Sequence, residues 1–155
     1  MMKIHENLLK NTAARVEKIQ YTDYFTYPLA KPIVSGETYT FSFEGELDEG
    51  VTAVVLYNSR STTVAHESTT FIANVQVKDN RKFFTFVAKD QERQNVSLRI
   101  HFPPKNLNVL NWMAKVKLEE CTEPSDIWTP AHSDLTPEQI ATLPPYGEYN
   151  EIKSF

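Results

Sequence analysis

Apolar and polar residues alternate over several stretches of this chain, most cleanly in its C-terminal third. Leu110, Trp112, Ala114, Val116 and Leu118 alternate with Asn111, Met113, Lys115, Lys117 and Glu119, which predicts a strand with the first set facing inward. Asn95 to Phe102 repeats the pattern, with Val96, Leu98, Ile100 and Phe102 inward and Ser97, Arg99 and His101 outward. Glu37 to Glu44 is a strand with Tyr39, Phe41 and Phe43 inward. In Lys82 to Ala88, Phe84 and Phe86 share one face while Phe83, Thr85 and Val87 share the other. Val51 to Asn58 is apolar on both faces and predicts a central strand covered on both sides. Phe71 to Lys78 is a further strand.

Turn residues separate these stretches: Ser35-Gly36, Asp48-Glu49-Gly50, Asp79-Asn80 and Pro103-Pro104. Pro28 and Pro32 break an extended path that starts at Ile19, which predicts a loop or edge segment there. Asn58 to Thr70, rich in Ser and Thr, is a long loop or weak edge strand. No helix is long enough for the crossovers a parallel sheet requires. About seven strands joined by short turns therefore predict an all-β fold, an antiparallel β-sandwich of jelly-roll type.

The pattern also divides the chain. Residues 1–17 are an N-terminal arm, 18–131 the sandwich and 132–155 a C-terminal tail. Trp128 offers a large apolar surface and Pro130 forbids a further ladder hydrogen bond, so this segment ends the last strand and staples it. Thr136-Pro-Glu-Gln139 then predicts a helix start, with Thr136 as N-cap and Gln139 closing a capping box, and Pro144-Pro145 ends that helix. Ile140, Leu143, Tyr146, Tyr149, Ile152 and Phe155 recur every third residue. An α-helix would spread this stripe around its axis, whereas a polyproline II path with its ~3 residues per turn would align it. Such a stripe either packs on its own domain or docks on a neighbour; its apolar length favours docking.

Composition agrees with strands, since nine Phe and seven Tyr stand against four Gly. A net charge of −4 argues against a general nucleic-acid binder. The single cysteine, Cys121, allows no internal disulfide and has no Cys or His neighbour at metal-ligand spacing. No stretch is apolar enough for a secretory signal or a membrane span, which implies a soluble protein made in the cytoplasm. Chemistry is sparse. The histidines are scattered, and neither a nucleophile elbow nor a Gly-rich phosphate loop is present. Asp48/Glu49 and Glu119/Glu120 are adjacent pairs, poor dyads for glycoside hydrolysis. Asp48-Glu49 in a turn is weak ground for a structural calcium. No catalytic residue, metal site or cofactor is expected. Exposed aromatics would serve a sugar-binding role, and Tyr24, Tyr27 and Tyr57 are the candidates, with core packing the competing role.

Three motifs carry a resemblance. Val116-Lys-Leu-Glu119, a short polar connection and Asp126-Ile-Trp128-Thr-Pro-Ala131 resemble the closing signature of carbohydrate-binding-module-like jelly-roll domains. Those domains occur in tail, fibre and baseplate proteins of tailed bacteriophages and in related glycan-binding modules. Asn7-Leu8-Leu9 resembles their opening motif, and Leu29 to Phe43, with Gly36-Glu-Thr-Tyr-Thr-Phe-Ser-Phe43, resembles the aromatic strand that follows it. The resemblance spans residues 7–131 and departs from the pattern at Glu120-Cys121-Thr122, where a glycine is usual. It implies a non-enzymatic virion component (tail, fibre, collar or head-decoration protein) that assembles with other virion proteins as a homo-oligomer, fibres often being trimers. The alternative it implies is a receptor-binding module for a bacterial surface glycan.

Overall fold

The computed structural model describes residues 2–18, 25–34, 36–47, 52–59, 69–78, 81–88, 95–101, 111–125, 127–143 and 147–149. Their strands are β1 (Met2–Ile4), β2 (Val16–Lys18), β3 (Phe25–Pro28), β4 (Thr38–Glu46), β5 (Thr52–Ser59), β6 (Thr69–Asn74), β7 (Gln76–Lys78), β8 (Arg81–Val87), β9 (Asn95–His101), β10 (Asn111–Glu119) and β11 (Gly147–Tyr149). A 3-10 turn (His132–Asp134) and a short helix, α1 (Pro137–Ala141), lie between the last two. The strands form a five-stranded sheet ordered β2-β10-β4-β8-β7, a four-stranded sheet ordered β3-β9-β5-β6, and a separate ribbon, β1-β11. Every pairing is antiparallel. The protein is an all-β sandwich, as the alternation predicts.

Its core lies between the two larger sheets. Tyr39, Phe41 and Phe43 on β4 and Phe84 and Phe86 on β8 are buried, and the register sets Phe41 opposite Phe84 and Tyr39 opposite Phe86. Their rings stack with centroids 5.1 Å and 5.8 Å apart. Such cross-strand aromatic pairs add to burial because the ring quadrupoles favour offset contact. Phe25, Tyr27, Leu98 and Ile100 supply the facing layer. Gly36 has a φ of +87°, the left-handed backbone that glycine adopts without strain, while Ser35 of the expected turn lies outside the described residues.

Three features depart from the sequence pattern. The expected single strand from Phe71 to Lys78 divides at Val75: β6 pairs with β5 in one sheet and β7 with β8 in the other. One continuous stretch thus stitches the two layers together, a corner geometry of sandwiches. Residues 7–17, expected to be part of an arm preceding the sandwich, are built into it. Leu8 and Leu9 lie in the core, Leu9 bridges Leu29, and β2 pairs with β10. The third departure corrects the faces of β10. Its ladder to β4 runs from Ala114↔Glu44 to Lys117↔Ser42, skipping one more residue on β10 than on β4. This bulge reverses the alternation. Met113 is therefore a core residue ahead of the bulge, Val116 and Leu118 are core residues after it, and Trp112 and Ala114 are not on the core face. Lys115 carries the bulge in left-handed backbone, φ 47°.

Gly45 lies against the same strand. A Cβ there would stand 2.0 Å from the Trp112 carbonyl oxygen. Gly45→Ala must push β4 and β10 apart and is expected to cost about 1–3 kcal/mol in urea unfolding. A loss within ~0.5 kcal/mol, the range of an ordinary surface change, would contradict this.

Candidate functional site

The three motifs behind the resemblance converge on the bulge. Because the β4 ladder skips Val116, its backbone groups find other partners. The Val116 N–H donates to the Thr12 carbonyl (3.1 Å), and its carbonyl accepts from Asn7 Nδ2 (3.0 Å) and Trp128 Nε1 (3.0 Å). Asn7 is fully buried. Its amide also donates to the Thr129 carbonyl (2.9 Å) and Thr12 Oγ1 (3.2 Å), while Oδ1 accepts from the N–H of Leu9 (3.1 Å) and Leu118 (3.2 Å). One side chain thus ties the opening segment, the closing strand and the exit segment, satisfying backbone groups that burial would otherwise orphan.

Beside this clasp is a cleft of about 390 Å³, lined by Asn11, Ala13, Ala14, Trp128, Pro130 and Asp134 among others. Asn11 adopts left-handed backbone (φ 58°), which asparagine tolerates better than most residues. Its N–H donates to Asp134 Oδ2 at 2.8 Å, and Asp134 reaches this position on the 3-10 turn after the buried Ala131. Trp128 is half-buried, and its bond to Val116 fixes the ring. The other tryptophan, Trp112, is covered from within the chain: the Arg15 guanidinium lies 4.2 Å from its ring centroid.

Behind β10 is a buried polar cluster. Lys117 and Glu119 side chains are 1% and 0% exposed, with Nζ 3.7 Å from Oε2. Glu119 accepts from the Ser125 N–H (3.0 Å) and from its hydroxyl, and Ser125 Oγ in turn accepts from the His5 N–H (3.0 Å). Arg81 donates to Ser42 Oγ (3.0 Å) and the Lys115 carbonyl (2.8 Å). Burial pushes the Lys117 ammonium down to about 8, with Arg81 adding to the effect and Glu119 opposing it. Burial also pushes the Cys121 thiol up to about 11, helped by Glu119, so this cysteine is a poor nucleophile. Buried this deeply, Lys117 is out of reach of a substrate. Among the described residues, no three His, Cys, Asp or Glu side chains come together to hold a metal.

Of the aromatic platforms expected from sequence, Tyr27 is 3% exposed and belongs to the core, and burial raises its phenol pKa. It presents no face to a sugar. Tyr57 lies on β5 opposite Leu98, with its side chain outside the described residues; Tyr24 lies outside them altogether. The tail stripe is not one polyproline II path. Ile140 sits on α1, and Tyr149 on β11 pairs with Met2, so helix and strand backbone both interrupt such a path. Ile140 and Leu143 are half-buried, and Tyr146, Ile152 and Phe155 lie outside the described residues. The helix start is as expected: Thr136 Oγ1 accepts from the Gln139 N–H (3.2 Å), and Gln139 Oε1 accepts from the Thr136 N–H (2.9 Å). Sequence reasoning missed the cleft, because its two polar rim residues, Asn11 and Asp134, are 123 positions apart.

Comparison with known proteins matches no family model and no curated relative.

Proposed function

We propose that the protein is a non-enzymatic structural component of a bacteriophage virion, a jelly-roll-type building block that joins other virion proteins through its sandwich edges and C-terminal tail. The observation that carries this reading is the β1-β11 ribbon. It pairs Met2 with Tyr149, Lys3 with Glu148 and Ile4 with Gly147, and it belongs to neither layer of the sandwich. A two-stranded ribbon this short is marginal on its own in water. It gains most when a neighbouring chain lends a third strand or an apolar surface. The motifs meeting at Val116 support the phage setting, since they link the opening and closing ends of the domain in one clasp.

Particles of the phage that encodes the chain test this. Mass spectrometry of purified particles is expected to recover the chain in fixed ratio to the other virion proteins; particles that lack it would overturn the proposal. Deletion of residues 143–155 separates the tail from the sandwich. The truncated protein is expected to keep its β-sheet circular dichroism and lose incorporation. Unchanged incorporation and oligomeric state would exclude docking through the tail.

A further inference from the structure

We propose that the cleft beside Trp128 receives an arginine side chain of an assembly partner. This rests on the assembly reading, which supplies the partner, but its chemistry stands on the cleft. The molecule makes the same contact within its own chain, where Arg15 stacks over Trp112 with its guanidinium 4.2 Å from the ring centroid. Trp128 lines the cleft with its ring held by the bond from Nε1 to the Val116 carbonyl. A ring already fixed in place loses little freedom when a ligand stacks on it.

Asp134 supplies the second half of the recognition. Its Oδ2 accepts from the Asn11 N–H, a carboxylate has lone pairs to spare, and no cation among the described residues pairs with it. An indole and an exposed carboxylate lining one cleft suit a guanidinium, which is planar, stacks on aromatic faces and forks onto carboxylates. A lysine ammonium would use the carboxylate and waste the ring's breadth. Ala13 and Ala14 keep one wall low, so a side chain can enter from solvent. The net charge of −4 favours approach of a basic partner.

The test is a titration of the full 15N-labelled chain with arginine amide, followed by NMR. The Trp128 indole N–H and the Asn11 and Asp134 amides are expected to shift together and saturate, with Kd on the order of 1–10 mM for a single stacked ion pair. Citrulline amide, equal in shape but uncharged, is expected to bind at least about tenfold more weakly, and Asp134→Asn to weaken arginine amide by a similar factor. This variant keeps an oxygen for the Asn11 N–H. Equal binding of citrulline amide, indifference to Asp134→Asn, or no shift at all would overturn the proposal. So would stronger shifts of the same resonances with methyl glycosides, which would assign the cleft to sugar. Any of these results with the chain present in particles removes the arginine site and leaves the assembly reading standing.

Discussion

Asn7→Ala is expected to destabilise the protein by about 4 kcal/mol, near the upper end for a single substitution. The side chain makes five buried hydrogen bonds, to Thr12, Val116, Thr129, Leu9 and Leu118. Three of the four backbone partners have no second bond to fall back on in this clasp, while the Val116 carbonyl retains Trp128. A buried backbone group left unpaired costs roughly 1–3 kcal/mol, and the losses are not additive because the opening segment can shift to admit water. In thermal unfolding this corresponds to a drop of about 10 °C for a domain of this size. Asn7→Asp is expected to be no better, since it keeps the acceptor and discards the donors while burying a charge. Hydrogen exchange should localise the damage, with Leu9 and Leu118 amides losing protection first. A loss below ~1 kcal/mol in urea unfolding would mean that Asn7 is not the clasp, because even one orphaned group costs more.

Glu119→Ala is the second large effect, expected at about 3–5 kcal/mol. It leaves the Lys117 ammonium buried without its counter-charge and takes both carboxylate contacts from Ser125, through which His5 is held. Replacing both partners by apolar residues, Lys117→Met with Glu119→Leu, is expected to restore most of the loss, because desolvating an ion pair offsets much of its attraction. A double variant as unstable as Glu119→Ala would instead assign the loss to the Ser125 contacts. Lys117 also sets a pH dependence. Its folded value, about 8, lies below the ordinary 10.5, so between these the unfolded chain binds more protons and stability rises with pH. Cys121 acts oppositely, weakly just below its ordinary value of 9 and fully between there and about 11. From pH 8 to 9 the rise therefore belongs to Lys117. Urea midpoints should increase over that interval in the wild type and stay level or fall slightly in Lys117→Met; parallel curves would exclude the assignment.

What the sequence disclosed depended on how far apart the cooperating residues lie. Tyr39, Phe41 and Phe43 alternate without interruption, and β4 presents them to the core as read. The capping box of α1 spans only Thr136 to Gln139, so its chemistry is local and legible. The bulge in β10 gave little warning, because a lysine rather than a glycine occupies its left-handed position. The lone apolar Met113 on the polar side was the only hint. Val75 is no strand breaker, yet the chain changes sheets there because its next pairing partner, β8, lies in the other layer. Asn7 read as part of a short motif, and its clasp stayed hidden because Val116 and Thr129 follow 109 and 122 positions later. The candidate cleft was invisible for the same reason.

The ribbon has a mechanical consequence. Met2 and Tyr149 form its outermost rung, so the chain leaves the ribbon in both directions at the same end. Tension applied through the two ends would peel Met2 from Tyr149, then Lys3 from Glu148, then Ile4 from Gly147, one pair at a time. Such unzipping yields at lower force than shearing all the pairs at once. Until the last pair parts, the sandwich bears no load, so the ribbon would act as a fuse that extends under strain before the folded layers are pulled.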